Sequence, residues 1–173
     1  MRTLILSSLL TLSAFAQTTP AAPASNSTWE RLHILLGTWK AQTSAQGAAR
    51  AQSVGTYTFQ SDLNGNVITR TSSTDACKGP SNFDCQHHDS LTIYHDTDDT
   101  TPHALYADSE GHVIHYDVSA PDPNTVILLS NTPGPKFRLV YHFEGGIMSG
   151  KFQFAPPGTS EFKSYLEWSG TRL

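Results

Sequence analysis

Eight histidines give this chain many side chains that can ligate a metal or transfer a proton. They are His33, His87, His88, His95, His103, His112, His115 and His142. The segments 87–89 (HHD) and 95–96 (HD) could place several donors near one rim of the fold. His112 and His115 do not form a ligand pair on a strand, because residues i and i+3 point to opposite faces. We expect no resident cofactor, and a haem or metal centre built on rim histidines is kept as an alternative.

Local sequence motifs do not indicate an enzyme. The chain has no G-x-S-x-G, H-E-x-x-H or G-x-G-x-x-G motif. A Ser/His/Asp triad assembled across strands stays open, because such sites are spatial and not local. We therefore name no catalytic residue and expect binding rather than catalysis.

The two cysteines, Cys77 and Cys85, enclose a short segment of turn-forming residues, 78–84 (KGPSNFD). Their spacing matches neither a C-x-x-C redox motif nor a zinc site, and a pair of this kind favours a disulfide in an oxidising compartment. Closing so small a ring stabilises the fold by roughly 2–3 kcal/mol in the chain-entropy model. The sequence thus predicts a crosslink that pins one loop.

The N-terminal residues predict export to the periplasm or the medium. Arg2 precedes an apolar run over 4–12, and the small-residue pattern 14–16 (AFA) suits cleavage after residue 16. The run is shorter than the ~20 residues that span a bilayer, so we expect no stable membrane insertion. Residues 1–16 are therefore assigned as a signal peptide, 17–26 (QTTPAAPASN) as a flexible leader, and 27–173 as one folded domain.

Charge and composition narrow the classes of partner. With 11 Lys+Arg against 15 Asp+Glu the net charge is −4, and the basic residues form no cluster. A chain of this kind lacks the positive footprint that binds phosphate backbones, so nucleic acid is not expected. Hydrophobic residues make up 38% of the chain, which is enough for a single core, and we expect a monomer.

The apolar pattern predicts one short helix followed only by strands. Ser27 and Glu30 form a capping-box pattern, and apolar residues at helical spacing continue to Gly37. After Gly37 the period is two, in ten segments: 38–43, 53–61, 66–73, 89–95, 102–108, 112–118, 124–131, 136–143, 150–155 and 161–169. Without helices to cover it, such an antiparallel sheet buries one face most economically by closing on itself. We predict an all-β, up-and-down barrel of about ten strands.

A ten-stranded barrel is wider than the roughly eight-stranded one whose side chains just fill the interior, so some volume remains for a guest. The residues predicted to line the interior are Tyr57, Phe59, Tyr116, Phe137, Leu139, Tyr141 and Phe154. Three of them are tyrosines, and a buried phenol needs a hydrogen-bond partner. This favours a guest with a polar atom, although the same side chains could simply fill the core.

The segment 35–39 (LLGTW) resembles the G-x-W start of the calycin superfamily, which includes lipocalins, fatty-acid-binding proteins and nitrobindin-like barrels. Residues 90–118 resemble bacterial lipocalin-like domains in particular. The resemblance implies a barrel that holds a small molecule, with Arg172 stacked over Trp39. Nitrobindin-like proteins also imply haem, but this chain lacks their further glycines after Trp39 and has no histidine in 162–173.

These observations favour an exported, monomeric, lipocalin-like barrel that binds a small, mostly hydrophobic molecule inside. Two alternatives remain open: a haem- or metal-binding barrel or barrel enzyme that uses rim histidines, and a structural domain whose core is filled.

Overall fold

The computed structural model describes residues 27–44, 49–81, 83–96 and 100–173. The expected signal peptide (1–16) and leader (17–26) lie outside these residues. One short helix, α1 (Thr28–Leu32), continues into a 3-10 turn over His33–Leu35. Ten strands follow: β1 (Gly37–Ser44), β2 (Gln52–Asp62), β3 (Val67–Lys78), β4 (Asp89–Tyr94), β5 (His103–Asp108), β6 (Val113–Asp122), β7 (Thr125–Ser130), β8 (Lys136–Glu144), β9 (Ile147–Ala155) and β10 (Lys163–Arg172). Within the described ranges, none of the helical segments is long and apolar enough to cross a membrane.

The ten strands form one closed antiparallel barrel, as the sequence predicts. Each strand pairs with its neighbours in the chain, and β1 closes the sheet by pairing with β10. Closure gives every strand two partners, so neither terminal strand is left as an unpaired edge. The odd-numbered strands begin at the end of the barrel next to α1, which we call the helix end. The even-numbered strands begin at the opposite end, which we call the far end.

The helix end is closed by α1 and its capping box. The Ser27 hydroxyl accepts a hydrogen bond from the Glu30 backbone amide at 3.2 Å, and the Glu30 carboxylate accepts one from the Ser27 amide at 3.1 Å. The α-helix ends at Leu32, earlier than the pattern predicts, because its last turn tightens into the 3-10 form that is common at helix ends. Leu32 and Leu35 are fully buried and cover the interior at the helix end, so we call residues 32–35 the plug.

Turn chemistry explains one boundary that differs from the prediction. Gly145 and Gly146 both have positive φ, 57° and 80°, as a two-residue hairpin turn requires. The flanking residues Glu144 and Ile147 therefore pair directly, and β9 begins three residues earlier than the predicted 150.

One expectation about the histidines is wrong, and one strand boundary next to a histidine shifts by a residue. His87 and His88 lie just before β4, while His95 follows its last residue, so the two groups stand at opposite ends of the barrel. Six strand residues separate them by about 20 Å, because a strand rises ~3.3 Å per residue. His112 lies in the turn before β6 and not on a strand, whereas His115 is an outward, exposed residue of β6.

The predicted disulfide is confirmed. Cys77 lies near the end of β3 and bonds to Cys85 in the segment that leads to β4. The crosslink therefore pins a loop at the far end of the barrel.

Candidate functional site

A charged residue lies inside the barrel. Arg70 is on β3 and only 4% of its surface is exposed, because its neighbours in the sheet, Phe59 and Leu91, are inward core residues. Its guanidinium forms an ion pair with Asp89, and its Nη1 donates to the Tyr141 hydroxyl at 3.1 Å. Asp89 also accepts a hydrogen bond from the Ser72 hydroxyl at 2.7 Å.

Aromatic rings surround this ion pair and connect it to the opposite wall. The guanidinium carbon of Arg70 lies 5.2 Å from the centre of the Tyr57 ring. The Trp168 ring, on β10, lies 6.0 Å from Tyr57 and 5.8 Å from Tyr141. We call Arg70, Asp89, Tyr57, Tyr141 and Trp168 the belt, because their contacts connect β2, β3, β4, β8 and β10 across the interior of the barrel.

A glycine on β9 makes room for the belt tryptophan. A Cβ atom added at Gly150 would lie 2.0 Å from Cε2 of Trp168, which no real pair of atoms tolerates. Tyr141 and Trp168 are the cross-strand partners of Gly150 on either side. The missing side chain therefore lets the indole lie flat against the wall between its two neighbours.

Two donors of the belt lack acceptors. Arg70 Nε and Trp168 Nε1 are buried and have no hydrogen-bond partner among the residues that the structure describes. An unsatisfied buried donor costs about 1–3 kcal/mol, and such groups are rare in folded proteins. The other two indoles are satisfied, since Trp29 donates to the Gly65 carbonyl at 3.1 Å and Trp39 to the Leu35 carbonyl at 2.8 Å. Both unsatisfied donors belong to residues that contact the same two tyrosines, Tyr57 and Tyr141.

The protonation states of the belt follow from its burial. Burial raises the pKa of Tyr57 to about 12, although the nearby Arg70 charge opposes the shift. Burial also raises the pKa of Tyr141, against the opposing effect of Arg70. For Arg70 burial disfavours the charge, but Tyr141 and Asp89 outweigh it and raise the pKa of the guanidinium. At neutral pH the belt therefore holds the Arg70 cation, paired with Asp89, and two neutral phenols.

The lumen differs on the two sides of the belt. Toward the helix end the inward side chains are fully or almost fully buried and fill the space: Phe59, Ile68, Ile93, Val118, Val126, Leu128 and Met148. Toward the far end some inward side chains are partly exposed, whereas Thr43, Ile114 and Ser130 stay buried. The partly exposed ones are Tyr106, Phe137, Phe152, Leu166 and, next to them, the belt residue Tyr57. Phe154, which pairs with Phe137 across β8 and β9, is 37% exposed. Solvent therefore contacts part of the aromatic lining at the far end of the lumen.

The seven predicted lining residues fall into three groups in the structure. Tyr57 and Tyr141 belong to the belt, and Phe137 and Phe154 lie at the far end. The remaining three, Phe59, Leu139 and Tyr116, are buried in the core.

The sequence reasoning missed Arg70, Asp89 and Trp168 as a group. One signal was available for Arg70, because it has the same strand parity as the apolar Ile68 and therefore faces inward. Trp168 on β10 meets Tyr57 on β2 and Tyr141 on β8, and these contacts depend on closure of the whole barrel.

A second polar cluster stands at the far-end rim. The Tyr106 hydroxyl donates to Asp108 at 3.2 Å and lies 3.1 Å from Nε2 of His87. Asp108 also accepts from the backbone amides of Glu110 and His112, at 3.0 and 2.9 Å, so its carboxylate organises the turn between β5 and β6. Burial alone raises the pKa of Asp108, but the hydrogen bonds from His112 outweigh it and lower the pKa. Two groups of side chains here have potential metal-ligand atoms within 4.8 Å of one another. They are Asp84, His87 and Glu110, and Asp108, Glu110 and His112.

The tryptophan of the G-x-W segment is covered by a basic residue from the last strand. The guanidinium carbon of Arg172 lies 4.5 Å from the centre of the Trp39 ring, within the ~6 Å range of a cation–π contact. Arg172 also donates from Nη2 to the Ile34 carbonyl at 3.0 Å, which ties β10 to the plug at the helix end.

Two grooves lie away from the belt. One, of about 290 Å³, runs along β1 and β10 and includes Lys40 and Thr171. The other, of about 330 Å³, lies beside the Trp39–Arg172 contact. Neither groove is lined by a belt residue.

The fold and site together define a closed ten-stranded antiparallel barrel that carries a polar belt inside an apolar lumen, an architecture compatible with calycin-like barrels. No family model and no curated protein matches the chain.

Proposed function

We propose that this protein is a lipocalin-like carrier that binds a small, mostly apolar molecule, non-covalently, in the far-end half of its barrel. One observation carries the proposal: inward aromatic side chains at the far end are partly exposed, and two buried donors of the belt lack acceptors. Ligand pockets commonly combine apolar walls with a few polar groups that fix orientation. The far-end lumen and the belt have this composition.

The expected affinity comes from apolar contact. Phe137 and Phe152 stack with ring centres 5.8 Å apart and form one side of the lumen between the belt and the far end. A guest that removes about 400 Å² of apolar surface from water, counted on guest and lining together, gains about 10 kcal/mol at ~25 cal/mol per Å². The cost of immobilising the guest reduces this gain, so we propose micromolar rather than nanomolar binding.

We further propose that the protein works as a monomer in an oxidising compartment outside the cytoplasm. The disulfide between Cys77 and Cys85 supports such a compartment, and the pattern of residues 1–16 supports export. Closure of the barrel supports a monomer, because all ten strands find both partners within one chain. We propose no resident cofactor.

The test is a titration of the purified protein with diphenylhexatriene, a neutral hydrocarbon whose fluorescence rises in apolar surroundings. We expect saturable binding with one site per chain. Phe154→Ser, at the far-end lumen, should weaken binding several-fold. Leu129→Ser is the matched control, because Leu129 is 43% exposed and pairs with the outward residues Asp117 and Arg138.

Other results would support the two alternatives. A folded protein that takes up none of the hydrocarbon would be a structural domain with a filled core. A Soret band, or one equivalent of metal in the purified protein, would support the haem- or metal-binding barrel.

A further inference from the structure

We propose that the guest carries an uncharged hydrogen-bond acceptor, such as a ketone, ester or amide carbonyl, which lies between Arg70 Nε and Trp168 Nε1. This inference rests on the proposed function and names the chemical class of the guest. It is carried by the two unpartnered donors and by the charge that already stands beside them.

The two donors lie in one neighbourhood although they are on distant strands. Arg70 contacts both Tyr57, at 5.2 Å, and Tyr141, at 3.1 Å. Trp168 contacts the same two tyrosine rings, at 6.0 and 5.8 Å. Tyr57 itself is partly exposed, whereas the two donor atoms are fully buried. An acceptor that displaces part of the lining and reaches this cluster would therefore lie near both residues.

The type of donor fixes the type of guest group. An indole N–H and a guanidinium N–H donate hydrogen bonds and cannot accept them. The group between them must therefore offer lone pairs. A carbonyl oxygen has two lone pairs and can accept from both donors at once.

The charge of the belt argues against an anion. Asp89 already pairs with the Arg70 guanidinium, and the Ser72 hydroxyl holds Asp89 in place. The other groups that face Arg70, namely Tyr57 and Tyr141, are neutral phenols at neutral pH. Asp108, near Tyr106 at the rim, adds a further negative charge on the way in. A carboxylate would lose its hydration and gain no net positive charge, whereas a neutral carbonyl loses much less.

The experiment compares three ligands of equal chain length at pH 7.5: 2-undecanone, undecanoate and undecane. Each displaces diphenylhexatriene from the purified protein. We expect the ketone to bind at least tenfold more tightly than the carboxylate and severalfold more tightly than the alkane.

Two variants assign this preference to the belt. Asp89→Asn leaves the Arg70 charge without its counter-ion, so the ratio of carboxylate to ketone affinity should rise at least tenfold. Asp117→Asn, on the outer face of β6, is the matched control and should leave this ratio unchanged. Trp168→Phe removes one donor and should reduce the advantage of the ketone over the alkane severalfold. Circular dichroism checks that each variant is folded.

The outcomes separate the inference from the proposed function. Tighter binding of undecanoate than of 2-undecanone, or equal binding of ketone and alkane, overturns the inference and leaves the carrier function in place. Failure of all three ligands and of the fluorophore overturns the carrier function itself.

Discussion

Replacing Arg70 by methionine removes the cation from the interior of the barrel and keeps most of its volume. The Asp89 carboxylate then loses its ion-pair partner and retains the Ser72 hydroxyl. Because Arg70 is 4% and Asp89 16% exposed, water can replace the lost partner only in part. We expect Arg70→Met to lower the free energy of unfolding substantially.

The magnitude follows from the burial of the pair. Breaking a fully buried ion pair by removing one partner costs about 3–5 kcal/mol. The residual exposure of Asp89 places this variant near the lower limit, at about 3 kcal/mol. The double variant Arg70→Met/Asp89→Asn has no unpaired charge. It should therefore be more stable than the sum of the two single losses predicts, by about 2 kcal/mol.

Urea unfolding followed by far-ultraviolet circular dichroism measures these differences in a double-mutant cycle. The slope of the transition should stay constant across the four proteins, because the same surface is exposed on unfolding. If the two single losses add within about 0.5 kcal/mol, Arg70 and Asp89 do not interact as a buried pair and the reasoning is refuted.

Further predictions concern the packing, the tyrosines and the crosslink. Gly150→Ala drives a methyl group into Trp168, so it should destabilise the fold by about 1–3 kcal/mol and weaken hydrocarbon binding, whereas the exposed neighbour variant Ser149→Ala should do neither. Burial favours the neutral phenol of Tyr57, so its contribution to stability is complete below pH ~10 and is lost as the pH rises to about 12. An absorbance titration at 295 nm checks this, and ordinary titration of every tyrosine near pH 10 in the folded protein would argue against it. Joint replacement of Cys77 and Cys85 by serine should lower the free energy of unfolding by roughly 2–3 kcal/mol, and an unchanged urea midpoint would show that the crosslink constrains nothing.

Local patterns account for most of the fold. Period-two alternation after Gly37 predicts ten strands, and the absence of helical patterns leaves closure as the way to bury one face. The positions of turns follow from glycine pairs such as Gly145-Gly146, although the tightness of that turn sets where β9 begins. These features depend on neighbours in the chain, so the sequence alone suffices to predict them.

The site depends on contacts between distant strands and is harder to predict. The inward orientation of Tyr57 and Tyr141 can be predicted from alternation. Their contacts with Arg70 cannot, because they depend on the register of β2, β3 and β8 around the closed barrel. The sequence does not show why residue 150 is a glycine, because the reason is its close contact with Trp168 on the neighbouring strand. The expectation that His87 and His95 share one rim is wrong because β4 lies between them and carries them to opposite ends of the barrel.

Nuclear magnetic resonance of the three indole N–H groups tests most directly whether a guest reaches the belt. Trp29 and Trp39 donate to backbone carbonyls, whereas Trp168 has no acceptor among the described residues. On addition of 2-undecanone to the ¹⁵N-labelled protein, the Trp168 indole proton should move downfield as it gains a hydrogen bond, and the other two signals should stay in place. A Trp168 signal that stays fixed while the ketone saturates the protein would contradict the account.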